Sequence, residues 1–262
     1  MDLDKIAALD IHVVALALGL AMLVAWQVGR RMGGRLRGTD GVKPSKFDDA
    51  SIGLLGLLLA FSFGTSITKH DQRRVAVVAD ANAIGDFYTC ASLLKEPSRI
   101  KLQAVIRQYA QLRLELASGR ARAGDLEDAL ANFGRMHDQM TKLVGDAVGD
   151  GTPIAVPLAN TLNSVTSNQA SRLAAYRDRL PATVVFLLYI SAIVVALLIG
   201  REQGVEGSTD IAGTVCFIVL VSIAVYVTQD LNRPESGLIR VSQEPIERLL
   251  SPMPVKYGSR FP

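Results

Sequence analysis

Cysteine is scarce in this chain: Cys90 and Cys216 are the only two among 262 residues. Two are too few for a disulfide framework. One stands in an apolar run and the other in a polar one, which argues against a bond between them. Histidine is nearly as thin. His12, His70 and His137 lie far apart, so local spacing offers no metal site. There is no paired-cysteine motif, no His-Glu-x-x-His and no Gly-rich phosphate loop. The chain therefore reads as a non-enzyme with no metal and no cofactor. A net charge of +3 is too mild for the dense basic face that nucleic acid requires. Charged residues make up only 20% of the chain, and four windows lack them almost completely.

Those four windows are what the chain has in place of chemistry. A bilayer core of about 30 Å takes about 20 apolar residues in a helix. The windows are Ile11–Gly29, Ile52–Ile67, Pro181–Gly200 and Ile211–Val227. The first is too long for a signal peptide, lacks a small-residue cleavage site and is followed by "RRMGGRLR", so it reads as a retained span. Pro181 stands at a natural helix start. None of the four carries a central Asp, Glu, Lys or Arg, which a proton-coupled pump or carrier usually needs. The spans fall in two pairs around a long polar insert, giving segments 1–67, 68–180, 181–231 and 232–262.

With four spans, both termini and the insert share one side of the membrane. The short loops on the other side carry Arg30, Arg31, Arg35, Arg37, Lys43, Lys46 and Arg201. The flanks on the insert's side carry Lys5, Lys69, Arg73, Arg74, Arg172, Arg177, Arg179, Arg233 and Arg240. Short loops weigh most in the positive-inside rule, which places them in the cytoplasm and the insert outside.

The insert reads as helix throughout, so the fold class is all-α: four spanning helices plus a helical bundle. No breaker except Gly85 interrupts His70–Leu94. A turn at Glu96-Pro97-Ser98 precedes a second helix, capped at Gly119. Asp125 opens a third, with Leu126, Leu130, Phe133, Met136, Met140 and Leu143 as its stripe. The loop "GDGTPIAVP" leads to a polar fourth, Leu158–Leu180, which enters the third span at Pro181. Spans two and three are expected to continue into the bundle as single helices. One helix from Ser51 to Leu94 would be about 65 Å long.

The second span is the richest in pattern. Gly53, Gly56, Ala60 and Gly64 form a small-residue stripe that lets helices approach closely in lipid. With Asn82 and Gly85 further along, these are the candidate packing positions. Ser62, Thr65 and Thr68 recur at about three-residue spacing, flanked by Phe61 and Phe63. Hydroxyls and aromatics on a close-packing helix suit the lining of a narrow conduit. Lys69, His70, Arg73 and Arg74 at its end would concentrate anions at a mouth. The plainer reading makes the stripe a packing face and the cations ordinary span flanks. Ser191 and Ser222, in spans three and four, are expected to bond to their own helix backbones.

"GLLGLLLAFSF" followed by "DQRRVAVVADANAIGDFY", with "QDLNRPESGLIRVSQEPIERL" after the fourth span, resembles the bestrophin-like bacterial membrane family over nearly the whole chain. Two departures from its pattern are Asp80, in place of Glu, and Asn232, in place of Asp. That family is remotely similar to bestrophin anion channels. The resemblance implies a multi-pass protein of the bacterial cytoplasmic (inner) membrane. It also implies a homo-oligomer, a pentamer as in bestrophins, whose second span lines the pore, with inorganic ions as its partners. It puts the termini and the insert in the cytoplasm, opposite to the loop charges.

Two functions compete. One is an oligomeric ion channel, anion-selective if its basic mouth is real, with span two as pore. The other is a non-conducting membrane scaffold or sensor whose bundle binds a partner or ligand through Asn160, Asn163, Ser164, Ser167, Asn168 and Gln169. In the tail, Ser242 is expected to cap a short helix containing Glu247. In the channel reading, Arg233 and Arg240 would line a vestibule.

Overall fold

The computed structural model describes residues 11–37, 46–117, 123–207, 210–233 and 237–253. Lys5, Lys43 and the cap expected at Gly119 lie outside them, as do the side chains of Lys46, Leu126 and Leu130. The described residues form helices without strands. In chain order these are α1 (Ile11–Leu36), α2 (Lys46–Ser92), α3 (Ser98–Ala117), α4 (Ala123–Gly149), α5 (Ala155–Arg177), α6 (Ala182–Glu206), α7 (Ile211–Asn232) and α8 (Glu244–Leu250). Four apolar stretches, in α1, α2, α6 and α7, are long enough to cross a membrane.

The chain divides into two compact units. The first comprises the chain up to His70 and Arg179–Ile239; the second comprises Asp71–Asp178 and the segment from Arg240 onward. Helix α2 runs unbroken through the boundary, since no residue from Lys46 to Ser92 breaks the backbone pattern.

Spans two and three were both expected to continue as single helices. The second does so in α2. At the third, α5 ends at Arg177 and α6 begins at Ala182. The cause is Pro181. It has no N–H to donate, its ring clashes with the preceding turn, and it biases the residue before it towards extended backbone. Asp178 is already extended, at φ −72° and ψ 110°. Arg73, buried, donates to the carbonyls of Ala175 (3.1 Å) and Asp178 (2.8 Å), occupying acceptors that the end of α5 leaves over.

The core of the first unit is aliphatic: Leu18, Met22 and Ala25 of α1, Leu55 of α2, Leu188, Ala192, Val195 and Ala196 of α6, and Ile218, Val221 and Val225 of α7. The core of the second unit is larger in side chain. Phe87, Tyr109 and Phe133 are buried among Ile84, Leu102, Ile106, Met140 and Leu158. The tail joins it through α8. Ile246 is buried, Leu249 packs against the core, and Arg107 donates to the Met253 carbonyl. Ser242 Oγ accepts from the Glu244 N–H (3.3 Å), while Gln243 is the N-cap residue of α8.

Candidate functional site

The candidate residues of span two all lie on α2, and burial separates its faces. Leu55, Ser62 and Ser66 face the interior of the first unit. Phe61 is 69% exposed, and Phe63, Leu54 and Leu57 are exposed as well. Gly53, Gly56 and Gly64 are exposed, and a Cβ added at any of them would meet nothing within 4 Å. Ala60 and Thr68 are exposed and Thr65 is half-buried. The small-residue stripe thus packs against no part of its own chain that the structure describes.

The hydroxyls divide in the same way. Thr65 donates to the Phe61 carbonyl (2.9 Å) and Thr68 to the Gly64 carbonyl (3.0 Å). Ser191 does likewise with Leu187 (2.8 Å). Such back-bonding is the usual fate of a hydroxyl on a helix in lipid. Ser62 and Ser66 are buried without a hydrogen-bond partner among the described residues. So is the Ser222 hydroxyl, expected to bond to its own helix; an added Cβ at Gly19 would lie 3.2 Å from it.

The four cations differ in placement. Arg73 is turned inward onto the end of α5. Lys69 and His70 are half-buried, and Arg74 is exposed. Of the two later packing positions, Gly85 receives Leu249: a Cβ there would stand 3.1 Å from Leu249 Cδ1. Asn82 is exposed.

The closest helix contact lies elsewhere. Gly29 and Gly33 of α1 face Gly200 and Gly204 of α6. A Cβ on Gly29 would overlap the Leu197 carbonyl, on Gly33 that of Arg201, on Gly200 that of Trp26 and on Gly204 that of Arg30. Only hydrogen at all four positions permits this approach, and in lipid such packing supplies much of the association energy. The signal stood in the sequence as "GRRMG" and "GREQG", each with glycines four apart, at the polar ends of their spans. Beside this crossing, Trp26 Nε1 donates to Gln203 Oε1 (3.0 Å) and Gln203 Nε2 to Thr214 Oγ1 (2.9 Å), joining α1, α6 and α7. Arg201 pairs with buried Asp48 at 3.8 Å. Asp210 caps α7 by accepting from the Gly213 N–H (2.8 Å).

The segment after α7 is organised by two buried polar residues. Asp230 accepts from the N–H groups of Leu238 (2.8 Å) and Ile239 (2.9 Å), folding the chain back. Asn232 Oδ1 accepts from the Leu180 N–H at 2.6 Å, satisfying a backbone donor next to Pro181. The "QDLN" motif is thus a backbone clamp in this structure. Asp or Asn at position 232 supplies the same acceptor.

In the second unit, Asp80 is fully buried, with ion pairs to Arg172 (2.7 Å) and Arg113 (3.5 Å). Arg113 donates to the Tyr109 hydroxyl (2.8 Å), which donates to Gln169 Oε1 (2.9 Å). Arg172 also donates to Gln243 Oε1 (2.9 Å), tying in the tail. The Arg113 guanidinium lies 4.4 Å from the Phe133 ring centre. Burial pushes the Tyr109 phenol above its usual range, against the opposing charge of Arg113. Burial pulls Arg172 down, and Asp80 opposes it. The arrangement is a charged core joint. No group of three or more His, Cys, Asp or Glu side chains fit to hold a metal occurs among the described residues.

The family model for the bestrophin-like domain matches residues 15–246. No curated protein and no solved structure matches the chain.

Proposed function

Because the chain belongs to the bestrophin-like family, we propose that this membrane protein is an oligomeric ion channel in which α2 of each copy lines a shared conduit. The observation that carries the reading is the outward face of α2. Gly53, Gly56 and Gly64 have nothing of the described residues against them, and Phe61 and Phe63 stand exposed beside them. A small-residue face of this kind suits a neighbouring copy, and the phenylalanines suit a hydrophobic constriction that gates by dewetting. Thr65 and Thr68 border the conduit, while Ser62 belongs to the protomer's own interior. Lys69, His70 and Arg74 raise anion concentration near the mouth. The segment 68–180 is an extramembrane bundle set between the second and third spans, and the protein resides in a bacterial cytoplasmic membrane. It is not an enzyme.

The test is ion flux into liposomes carrying purified protein whose oligomeric mass has been verified. Halide entry is expected, and Phe61→Ala should change its rate at least about tenfold, the effect of about 1.4 kcal/mol on a barrier. A verified oligomer that passes no ion overturns the channel reading. The scaffold alternative draws on the outward polar face of α5. There Ser164 and Ser167 bond only to their own helix carbonyls, and Asn160 and Asn163 are exposed. A monomeric or dimeric mass would favour it.

A further inference from the structure

Helix α1 continues beyond its apolar run, and the extension is not an ordinary solvated end. The run Ile11–Gly29 is 19 residues, about 28 Å of helix, which matches a hydrocarbon core of about 30 Å. Along the outward side of this run stand Leu16, Leu20, Val24 and Val28, one turn apart and all exposed. Arg31 and Arg35 continue that line in register. Each lies two residues, or about 200° of rotation, from a glycine packed on α6, so both are held on the opposite side of α1. The register cannot rotate, because Gly29 and Gly33 are locked against the α6 backbone.

Among the described side chains, the other arginines at this end are engaged. Arg30 stacks over Trp26 at 5.6 Å, Arg37 packs against Gly207 and Arg201 pairs with Asp48. The described carboxylates of this end, Asp48, Asp49, Glu202, Glu206 and Asp210, belong to α2, α6 and the start of α7. No carboxylate among the described residues pairs with Arg31 or Arg35. Two exposed guanidiniums therefore sit about 3 Å and 9 Å beyond the end of the apolar run, at the depth where lipid phosphates lie. Exposed Met32 lies between them on the chain.

We infer that the outward face of α1 from Leu16 to Arg35 is a binding surface for an anionic phospholipid. Its acyl chains lie along Leu16, Leu20, Val24 and Val28, and its phosphate is held by Arg31 and Arg35. The surface rests on the membrane reading of the chain but not on conduction, so it stands or falls apart from the channel proposal. Guanidinium favours phosphate by its paired donors and fixed charge. A net anionic headgroup is preferred over a zwitterionic one, because no carboxylate among the described residues offsets the two arginines.

The full-length protein, purified in detergent, is incubated with equal phosphatidylglycerol and phosphatidylcholine, and retained lipid is counted by native mass spectrometry. Phosphatidylglycerol should be retained at least about threefold over phosphatidylcholine. The ratio should fall to near one in Arg31→Gln/Arg35→Gln, and survive both in Arg31→Lys/Arg35→Lys and in Arg30→Gln/Arg37→Gln. Equal retention of the two lipids by the unmodified protein overturns the inference, as does an unchanged ratio in the Gln double variant. Competition by millimolar inorganic phosphate that abolishes the preference would make this a site for free phosphate and would also overturn it. If the Gln variant does not fold, the unmodified protein still decides the matter. Its preference should weaken as sodium chloride rises, and a preference indifferent to salt sinks the proposal.

Discussion

Different forces stabilise the interior of each unit. In the first, the core cluster is aliphatic, with one buried aromatic, Trp26, at its edge; the closest contacts are backbone against backbone, and polar side chains bridge helices at their ends. In the second, aromatic and aliphatic groups surround a fully buried carboxylate with two arginines. Exposure shows the same contrast. Among the described residues, the exposed large apolar side chains other than Val75, Val78, Leu93, Val148 and Val156 belong to the first unit. Where the surroundings are as apolar as the core, burying leucine gains little. Association then depends on how near two backbones can come and on hydrogen bonds between helices. Where apolar surface is expelled from water, area itself stabilises. A charged joint inside such a core adds register at a desolvation cost.

The largest effect should come from blocking the glycine crossing. Gly200→Leu places a side chain against the Trp26 carbonyl, which cannot yield as a flexible side chain would. A loss of more than about 3 kcal/mol is expected, seen as failure to recover monodisperse protein. Gly56→Ala, on the uncovered face of α2, should leave the protomer's recovery unchanged. Equal behaviour of the two variants would erase the distinction between the intramolecular contact and the open stripe.

Next in size is the charged joint. Asp80→Asn leaves Arg172 and Arg113 buried without a counter-charge, which should cost about 3–5 kcal/mol. Thermal unfolding followed by circular dichroism measures this, and a loss below about 1 kcal/mol would show the pair to be solvated. The smallest effect is a pH dependence. Tyr109 has its pKa raised by burial, so its contribution is complete below the unfolded value of about 10. It is lost as pH rises from there through the folded pKa, because the unfolded phenol ionises first. Tyr109→Phe should remove that alkaline loss while costing about 1 kcal/mol at neutral pH. An alkaline profile identical to that of the unmodified protein would exclude Tyr109 as its source.

The windows of α1, α2, α6 and α7 were legible because charge-free runs of bilayer length need no knowledge of neighbours. The continuity of α2 was legible too, since nothing between Lys46 and Ser92 breaks a helix. The break before α6 is less legible: Pro181 opens that helix, as its position suggests, and it also turns the residues before it out of helical backbone, so that α5 ends at Arg177. At the candidate site, the residue types were readable but not their faces. Ser62 and Thr65 are three apart, yet one is buried and the other half-buried and bonded to its own helix. Periodicity gives an angle about a helix axis without saying where the neighbours stand.

Composition and pattern by themselves determined that this is an all-helical, bestrophin-like membrane protein, because hydropathy and breakers act locally along the chain. The tertiary structure alone decided which glycines touch. Among the described residues, Gly29, Gly33, Gly200 and Gly204 meet backbone, whereas Gly53, Gly56 and Gly64 meet nothing. Both sets look alike as spaced small residues. A glycine's close contact is made by the absence of a side chain, and an absence has no partner until the other helix is in place.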